Sequence, residues 1–162
     1  MPYEKIRTIT GLATIPEGTA QDGTVTGSTA STGEFLLDFT PAASPAIQSF
    51  FDIWDNSRQN RLWIWIPGEE ILARVLSVWT DTRLEVDRDV SSVTNQAFQS
   101  VFMDLKGWSA TNIGAGAGEI DGQVLAVGQN ENANINYENK QNWMSAHWLD
   151  GTGTTIRVIE QS

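Results

Sequence analysis

The chain of 162 residues has no cysteine and only one histidine, His147. The lack of cysteine excludes a disulfide scaffold and any zinc or iron–sulfur site that uses cysteine ligands. A chain of this length buries roughly 70% of its unfolded surface, so it needs neither a metal nor a disulfide to fold. We therefore predict no metal site and no cofactor.

Signatures of catalysis are also missing. His147 has no Gly-x-Ser-x-Gly elbow to support it, so we interpret it as a surface or hydrogen-bonded histidine. A Ser–His–Asp set would need a serine and an acid close by in space, which the sequence leaves open. The glycine–alanine run 114–118 imitates a nucleotide loop, but no strong strand precedes it and no helix follows it. We interpret that run as a flexible linker and predict that the protein is not an enzyme.

Basic residues are few, with 10 Lys and Arg against 20 Asp and Glu, which gives a formal charge of −10. Nucleic acids and anionic membranes both attract Lys and Arg, so we expect neither as a partner. The charge suits a protein that stays in solution or docks on a basic partner. Long apolar runs and a secretory signal are absent, so we expect synthesis in the cytoplasm.

Carboxylates are plentiful, and their placement allows two interpretations. Glu85, Asp87 and Asp89 share one face of a predicted strand and could hold Ca²⁺ or face a basic partner. A solvated strand face is the simpler interpretation, and no EF-hand loop is present. Glu69 and Glu70 are adjacent, and neighbours on an extended chain point apart.

Tryptophan, by contrast, is abundant, with seven in the chain. Indole rings give a large apolar area at low rotamer cost, so they build cores and interface hot spots. Trp63 and Trp65 lie two residues apart on one strand face, with Arg61 in line. That face is either core, or an interface with a neighbouring subunit, or an exposed surface that stacks sugars.

The strand pattern predicts an all-β fold, mainly an antiparallel barrel or sandwich. Residues 1–33 are rich in Thr, Gly and Ser and predict an extended N-terminal arm, with Tyr3, Ile6 and Ile9 as candidate interface residues. Ser44 and Pro45 begin one predicted helix near 45–55, whose apolar face repeats at helical spacing. Residues 34–106 are predicted as a β-rich lobe containing that helix, and 107–162 as a second β-rich lobe.

Further along the chain, strands are predicted over Arg61–Ile66, Ile71–Thr80 and Arg83–Arg88, the last two forming a hairpin. Asn130-Glu131-Asn132 and Asp150-Gly151 are typical of turns.

Several short motifs carry a resemblance to a known family. They are a Thr/Gly-rich strand, Gly23-Thr24-Val25-Thr26-Gly27-Ser28-Thr29; the stretch Gly33-Glu34-Phe35; the Val-x-Ser-Val motif Val75-Leu76-Ser77-Val78; and Asp81-Thr82-Arg83-Leu84 followed by Glu85-Val86-Asp87. The stretch from Gly23 to Val101, about half the chain, resembles a module of tailed-phage structural proteins. The resemblance implies a small β-barrel or sandwich that docks to the virion.

The leading hypothesis is therefore a non-enzymatic virion component that is made in the host cytoplasm. Within that class, a capsid cement or decoration protein on the major capsid protein comes first, and a tail or neck accessory protein second. We expect a homo-oligomer. A carbohydrate-binding module for a surface glycan is the alternative that the Trp63 and Trp65 pair suggests. An enzyme acting on cell-wall glycan would need a carboxylate pair that the sequence does not reveal.

Overall fold

A computed structural model describes residues 4–41, 61–134 and 144–162. Within these ranges the chain is almost entirely β, with a single 3₁₀ turn at Pro67–Glu69. The strands are β1 (Glu4–Ile9), β2 (Leu12–Ile15), β3 (Thr19–Ala20), β4 (Gly23–Thr29), β5 (Phe35–Pro41), β6 (Leu62–Ile66), β7 (Ile71–Thr80), β8 (Arg83–Val86), β9 (Gln99–Phe102), β10 (Gly107–Asn112), β11 (Gly118–Ile120), β12 (Gln123–Leu125), β13 (Asn130–Asn134), β14 (His147–Asp150) and β15 (Ile156–Gln161). The all-β prediction is confirmed, whereas the predicted helix near 45–55 lies outside the described residues.

The chain forms two compact units, and their boundaries differ from the predicted ones. Unit 1 joins Met1–Glu17 to Met103–Ser162, and unit 2 is Gly18–Phe102. The predicted lobe boundary lies between residues 106 and 107, whereas unit 2 ends at Phe102. The division between residues 33 and 34 does not exist, because β4 and β5 pair along their whole length inside unit 2.

Unit 1 contains two four-stranded antiparallel sheets, ordered β1-β15-β10-β13 and β12-β11-β14-β2. Its buried residues come from both sheets and follow the two-residue period of strands. In β15, for example, Ile156 and Val158 are buried while Arg157 is exposed. Leu149 of β14 and Ile15 of β2 are buried as well.

These pairings correct the prediction of an N-terminal arm. β1 pairs with β15 from Glu4↔Gln161 to Ile9↔Ile156, and β2 pairs with β14. β3 and β4 belong to the sheet of unit 2. Residues 4–33 therefore contribute mostly paired strands, because their backbone groups find partners far along the chain that local composition does not reveal.

Unit 2 is built on a seven-stranded sheet, ordered β3-β9-β6-β7-β8-β5-β4. The strands at its two ends, β3 and β4, are consecutive in the chain. β3 pairs with β9, whereas β4 contacts the segment before β9 through the bridge Val25↔Gln96 and the hydrogen bond from the Gly27 N–H to the Val93 carbonyl oxygen. β3 and β4 are not paired with each other, so the sheet is no continuous closed barrel. A cluster of buried side chains fills one side of this sheet, including Leu37, Ile64 and Phe98.

The run 114–118 is packed rather than a flexible linker. A Cβ on Gly114 would lie 2.2 Å from the Thr154 hydroxyl oxygen, and one on Gly116 would lie 2.6 Å from the Gly153 carbonyl oxygen. Only residues without a side chain allow this close approach. The buried Asn112 secures the run, because its Nδ2 donates to the Gly116 carbonyl oxygen at 2.8 Å.

Candidate functional site

The predicted interface pair Trp63 and Trp65 lies inside unit 2. Both residues belong to β6, a strand paired on one side with β7 and on the other with β9. Their exposed fractions are 7% and 1%, and the Arg88 guanidinium lies 5.9 Å from the ring centroid of Trp63. Arg61, just before β6, is half-buried. The two indoles are therefore core residues of the protomer, and no exposed stacking surface exists at this strand.

The candidate interface residues near the N-terminus differ in burial and do not share one surface. Ile6 is 62% exposed, whereas Ile9 is buried against the interior of unit 1. The two residues stand on opposite faces of β1 because side chains alternate along a strand. Tyr3 lies outside the described residues.

The acidic stripe at Glu85, Asp87 and Asp89 does not form a metal centre. Asp87 accepts hydrogen bonds from the backbone N–H of Arg74 and the side chain of Arg88, both at 2.9 Å. Asp89 accepts from the backbone N–H of Ser91 at 2.9 Å. Among the described residues, no group of three or more His, Asp or Glu could hold a metal ion.

Hydrogen bonds from Ser91 also lower the pKa of the Asp89 carboxyl group. This carboxylate therefore stays charged as a cap on its own turn.

Two β-bulges in β7 coincide with exposed apolar side chains on unit 2. The register with β8 runs Val75↔Val86 and then Ser77↔Glu85, so Leu76 is an extra residue. A second irregularity between Val78 and Thr80 leaves Trp79 as another extra residue. Bulges re-aim side chains and are found beside functional sites. Leu76 and Trp79 are 45% and 44% exposed, and we call these two residues the bulge pair.

Polar and charged side chains lie on the strands next to the bulge pair. The Ser77 hydroxyl donates to Glu85 at 3.4 Å. Arg83 makes a two-point ion pair with Asp38, with N–O distances of 2.7 and 3.1 Å. This pairing raises the pKa of Arg83, mainly through the hydrogen bond to Asp38. An apolar centre with charged neighbours is the usual arrangement of a protein interface.

Two apolar doublets in the sequence indicate the bulge pair, and the strand prediction for Ile71–Thr80 does not take them into account. Val75-Leu76 and Val78-Trp79 are adjacent apolar residues in a strand whose partner has a wet face. Such doublets break the two-residue period, and a break of period in the middle of a strand indicates a bulge.

A second surface feature is a cleft of about 400 Å³ in unit 1. Its walls come from the sheet that holds β10 and β13 and from the sheet that holds β11, β12 and β14. We call it the unit 1 cleft, and its main polar and aromatic lining residues are Trp108, Asp121, Gln123, Glu131, Asn132 and His147. The predicted turn at Asn130-Glu131-Asn132 is strand β13 instead, paired with β10.

His147 is fixed in the cleft by Asp121. The carboxylate contacts the imidazole Nδ1 through one oxygen and accepts from the backbone N–H of Trp148 at 3.0 Å through the other. Asp121 and Gly122 both have positive φ, 51° and 78°, as in the two-residue turn that joins β11 to β12. This Asp-Gly turn aims the carboxylate at β14, which explains how residues 26 apart in sequence meet.

Trp108 lines the same cleft. Its ring lies 4.9 Å from the imidazole of His147, with the planes tilted by 53°. Trp108 is only 5% exposed, and its indole Nε1 has no hydrogen-bond partner in the part of the chain that the structure describes. A buried donor without an acceptor costs about 1–3 kcal/mol, so this N–H favours a group that can accept from it.

Within residues 4–41, 61–134 and 144–162, no helix is long and apolar enough to cross a membrane. Comparison with protein-family models, with curated proteins and with solved structures found no match for this chain.

Proposed function

We propose that this protein is a non-enzymatic structural component of a tailed-phage particle that docks on the shell through the bulge pair. Within the particle, a cement or decoration protein bound to the major capsid protein is the leading role, and a tail or neck accessory protein is the alternative. The observation that carries the proposal is the exposure of Leu76 and Trp79 at two bulges of one strand.

The stretch that carries the family resemblance coincides with one compact unit of the fold. The resembling stretch, Gly23 to Val101, falls inside unit 2, Gly18–Phe102. The motif Val75-Leu76-Ser77-Val78 contains the first bulge, and Asp81 and Thr82 form the turn of the same hairpin. All four motifs therefore belong to one compact unit, and two of them form the hairpin that carries the bulge pair, which supports the interpretation of this unit as a docking module.

The exposed area of the bulge pair is large enough to matter in binding. At exposed fractions of 45% and 44%, covering both side chains removes about 200 Å² of apolar surface from water, or about 5 kcal/mol before entropic costs at ~25 cal/mol/Å². Tryptophan is among the residues most enriched in interface hot spots. A partner that encloses Trp79 would therefore gain most of its affinity at this hairpin.

The chemistry of the partner follows from the charge of the chain. With a formal charge of −10, the protein approaches a basic surface faster than a neutral or basic protein would. We therefore expect an apolar pocket with Lys or Arg at its rim on the shell protein.

The first experiment asks whether the chain is on the particle at all. Density-banded tailed-phage particles from the producing culture are labelled with an antibody against the purified chain and imaged by electron microscopy. Label on the head supports the cement role, and label on the tail or neck supports the alternative. Particles without label, with the chain confined to the unsedimented fraction, contradict the proposal.

The second experiment tests the bulge pair. Purified wild-type chain and the variant Leu76→Ala/Trp79→Ala are added to particles from a strain that lacks the gene, and bound chain is measured after sedimentation. We expect at least about tenfold weaker binding for the variant, since removal of a hot-spot tryptophan costs about 2 kcal/mol or more.

The matched control is Val124→Ala/Val127→Ala, which removes two exposed apolar side chains from unit 1. It should bind like the wild type. Equal binding by the folded bulge variant would mean that docking uses another surface.

A further inference from the structure

The unit 1 cleft combines side chains that the docking role does not use. It is separate from the bulge pair, which belongs to unit 2. Ligand sites are commonly concave, with aromatic walls and a few convergent polar groups, and occupy about 300–1,000 Å³. The cleft of about 400 Å³ falls in this range.

We propose that the unit 1 cleft binds a neutral saccharide, one or two sugar rings of a surface glycan. This site is distinct from the Trp63 and Trp65 pair, which is buried in unit 2. The argument rests on the preorganised histidine, the unpaired indole N–H, and the mixture of donors and acceptors in the lining.

The histidine is preorganised as a hydrogen-bond acceptor. Because Nδ1 faces the Asp121 carboxylate, the neutral imidazole carries its proton on Nδ1 and leaves Nε2 with a lone pair. Within the described residues Nε2 has no partner. A sugar hydroxyl can donate to Nε2 without any rearrangement, because Asp121 and the Trp148 backbone already hold the ring in place.

The indole N–H supplies the complementary donor. Nε1 of Trp108 is buried beside the imidazole, and no described residue accepts from it. Nε1 has almost no solvent-accessible surface, so a hydroxyl reaches it only when the indole or a neighbouring side chain shifts; because hydroxyls both donate and accept, a saccharide that induces this shift would satisfy Nε1 of Trp108 and Nε2 of His147 together. An apolar ligand would leave both groups unpaired at a cost of about 1–3 kcal/mol each.

The rest of the lining disfavours anionic ligands and offers hydrogen bonds to hydroxyl groups. Glu131 and Asp121 are carboxylates, so an anion such as phosphate would be repelled. Asn132 and Gln123 add amides, which hydrogen-bond to hydroxyls as both donor and acceptor. This mixture of donors and acceptors, with an aromatic wall, matches a hydroxyl-rich ligand, and the described chain has no group of three or more acidic or histidine residues that could hold a metal ion there.

The experiment uses the full chain and a panel of saccharides: glucose, galactose, mannose, rhamnose, N-acetylglucosamine and the disaccharides of each. Binding is measured by isothermal titration calorimetry and by tryptophan fluorescence, because Trp108 lies in the cleft. We expect saturable binding of at least one probe. The absence of heat and of a fluorescence change across the whole panel would overturn the proposal.

Variants then locate the site. Trp108→Phe keeps an aromatic ring and removes the N–H, and His147→Phe removes the acceptor; each should weaken binding about tenfold or more. Glu131→Gln replaces a charged acceptor by a neutral amide, and since hydrogen bonds to a charged acceptor are roughly twice as strong, saccharide binding should weaken severalfold. Circular dichroism confirms that each variant is folded before its affinity is compared.

The matched control for Glu131→Gln is Glu4→Gln, an exposed carboxylate on the opposite edge strand of the same sheet. It should bind as the wild type does. If folded Trp108→Phe, His147→Phe and Glu131→Gln all keep wild-type affinity, the sugar binds elsewhere and the assignment to this cleft is wrong. Leu76→Ala/Trp79→Ala should leave saccharide affinity unchanged, so the result is independent of the docking proposal.

Discussion

We expect the buried ion pair between Arg7 and Glu160 to make a large contribution to the stability of unit 1, because it joins the N-terminal strands to the rest of the unit. The side chains are 11% and 6% exposed, and the Arg7 guanidinium donates through Nη2 to a Glu160 carboxylate oxygen. The same nitrogen donates to the carbonyl oxygen of Thr14 at 2.6 Å. Arg7 therefore links β1 to β15 in one sheet and to β2 in the other.

The expected magnitude follows from what each substitution leaves behind. Arg7→Met leaves a buried carboxylate without its cation, and Glu160→Gln leaves a buried guanidinium without its anion. Breaking a buried pair by removing one partner costs about 3–5 kcal/mol. Replacing both residues, as Arg7→Met/Glu160→Leu, removes both charges, and such replacements are often neutral or stabilising by up to about 4 kcal/mol.

Urea unfolding followed by far-ultraviolet circular dichroism measures these changes. With a urea slope of about 1–3 kcal/mol/M, a loss of about 3–5 kcal/mol should lower the midpoint of each single variant by roughly 1–5 M. The double variant should recover most of that loss. Hydrogen exchange gives the location, since peptides from β1 and β15 should lose protection in the single variants while those of unit 2 keep theirs.

The reasoning would be refuted by single variants whose free energy of unfolding stays within about 1 kcal/mol of the wild type. It would equally be refuted by a double variant as unstable as the worse single one, because the cost would then come from lost packing and not from an unpaired charge.

Two further predictions concern unit 1. Asn112→Ala removes a buried side chain that makes four hydrogen bonds, so the free energy of unfolding should fall by about 3 kcal/mol. The exposed control Asn130→Ala should lower the free energy of unfolding much less. An unchanged thermal midpoint for Asn112→Ala would contradict the structural role of this residue. The Lys5 hydrogen bond lowers the pKa of Glu17 below its ordinary value of 4.5. The Lys5–Glu17 ion pair should therefore contribute about 0.2–1 kcal/mol, the range for an exposed pair, to the free energy of unfolding at neutral pH. That contribution is lost as the pH falls through the lowered pKa of Glu17. Denaturation of wild type and Glu17→Gln from about pH 7 to about pH 3 should show their difference shrinking towards acid; a constant difference would argue against it.

Strands with a clear local pattern could be predicted from the sequence. Ile71–Thr80 and the start of the next strand at Arg83 agree with β7 and β8, and the predicted strand Arg61–Ile66 differs from β6 by one residue. The signals were continuous apolar character, alternation and a short turn, all of which act over a few residues.

Pairing between distant segments could not be predicted in the same way. The partner of β1 is β15, with Arg7 opposite Val158, and nothing in the local composition of residues 1–33 identifies it. Gly27 illustrates the ambiguity of such composition. Taken alone, this glycine predicts a flexible segment. In the structure a Cβ on Gly27 would lie 1.7 Å from the Val90 carbonyl oxygen, so the glycine permits close packing of the two backbones.

One part of the unit 1 cleft, the turn that carries Asp121, can be predicted from the sequence. Asp121-Gly122 between short strands is a strong signal for a two-residue hairpin, which would have placed the Asp121 carboxylate at a turn. The contact with His147 needs the additional pairing of β11 with β14, a register that only the folded sheet defines. Tryptophan content indicated a core or a binding surface, but only the structure separates the buried Trp65 from the exposed Trp79.

The order of the units along the chain determines how the two proposals can be tested. Unit 2 is inserted into unit 1, because Gly18–Phe102 interrupts a unit whose first strand pairs with its last. Deleting the N-terminal 32 residues would remove β1 and β2 from unit 1 and β3 and β4 from unit 2. Loss of docking after that deletion would report unfolding of both units rather than the loss of an arm. Point substitutions at the bulge pair and in the unit 1 cleft avoid this confusion, since each changes one unit and leaves the other as an internal control for folding.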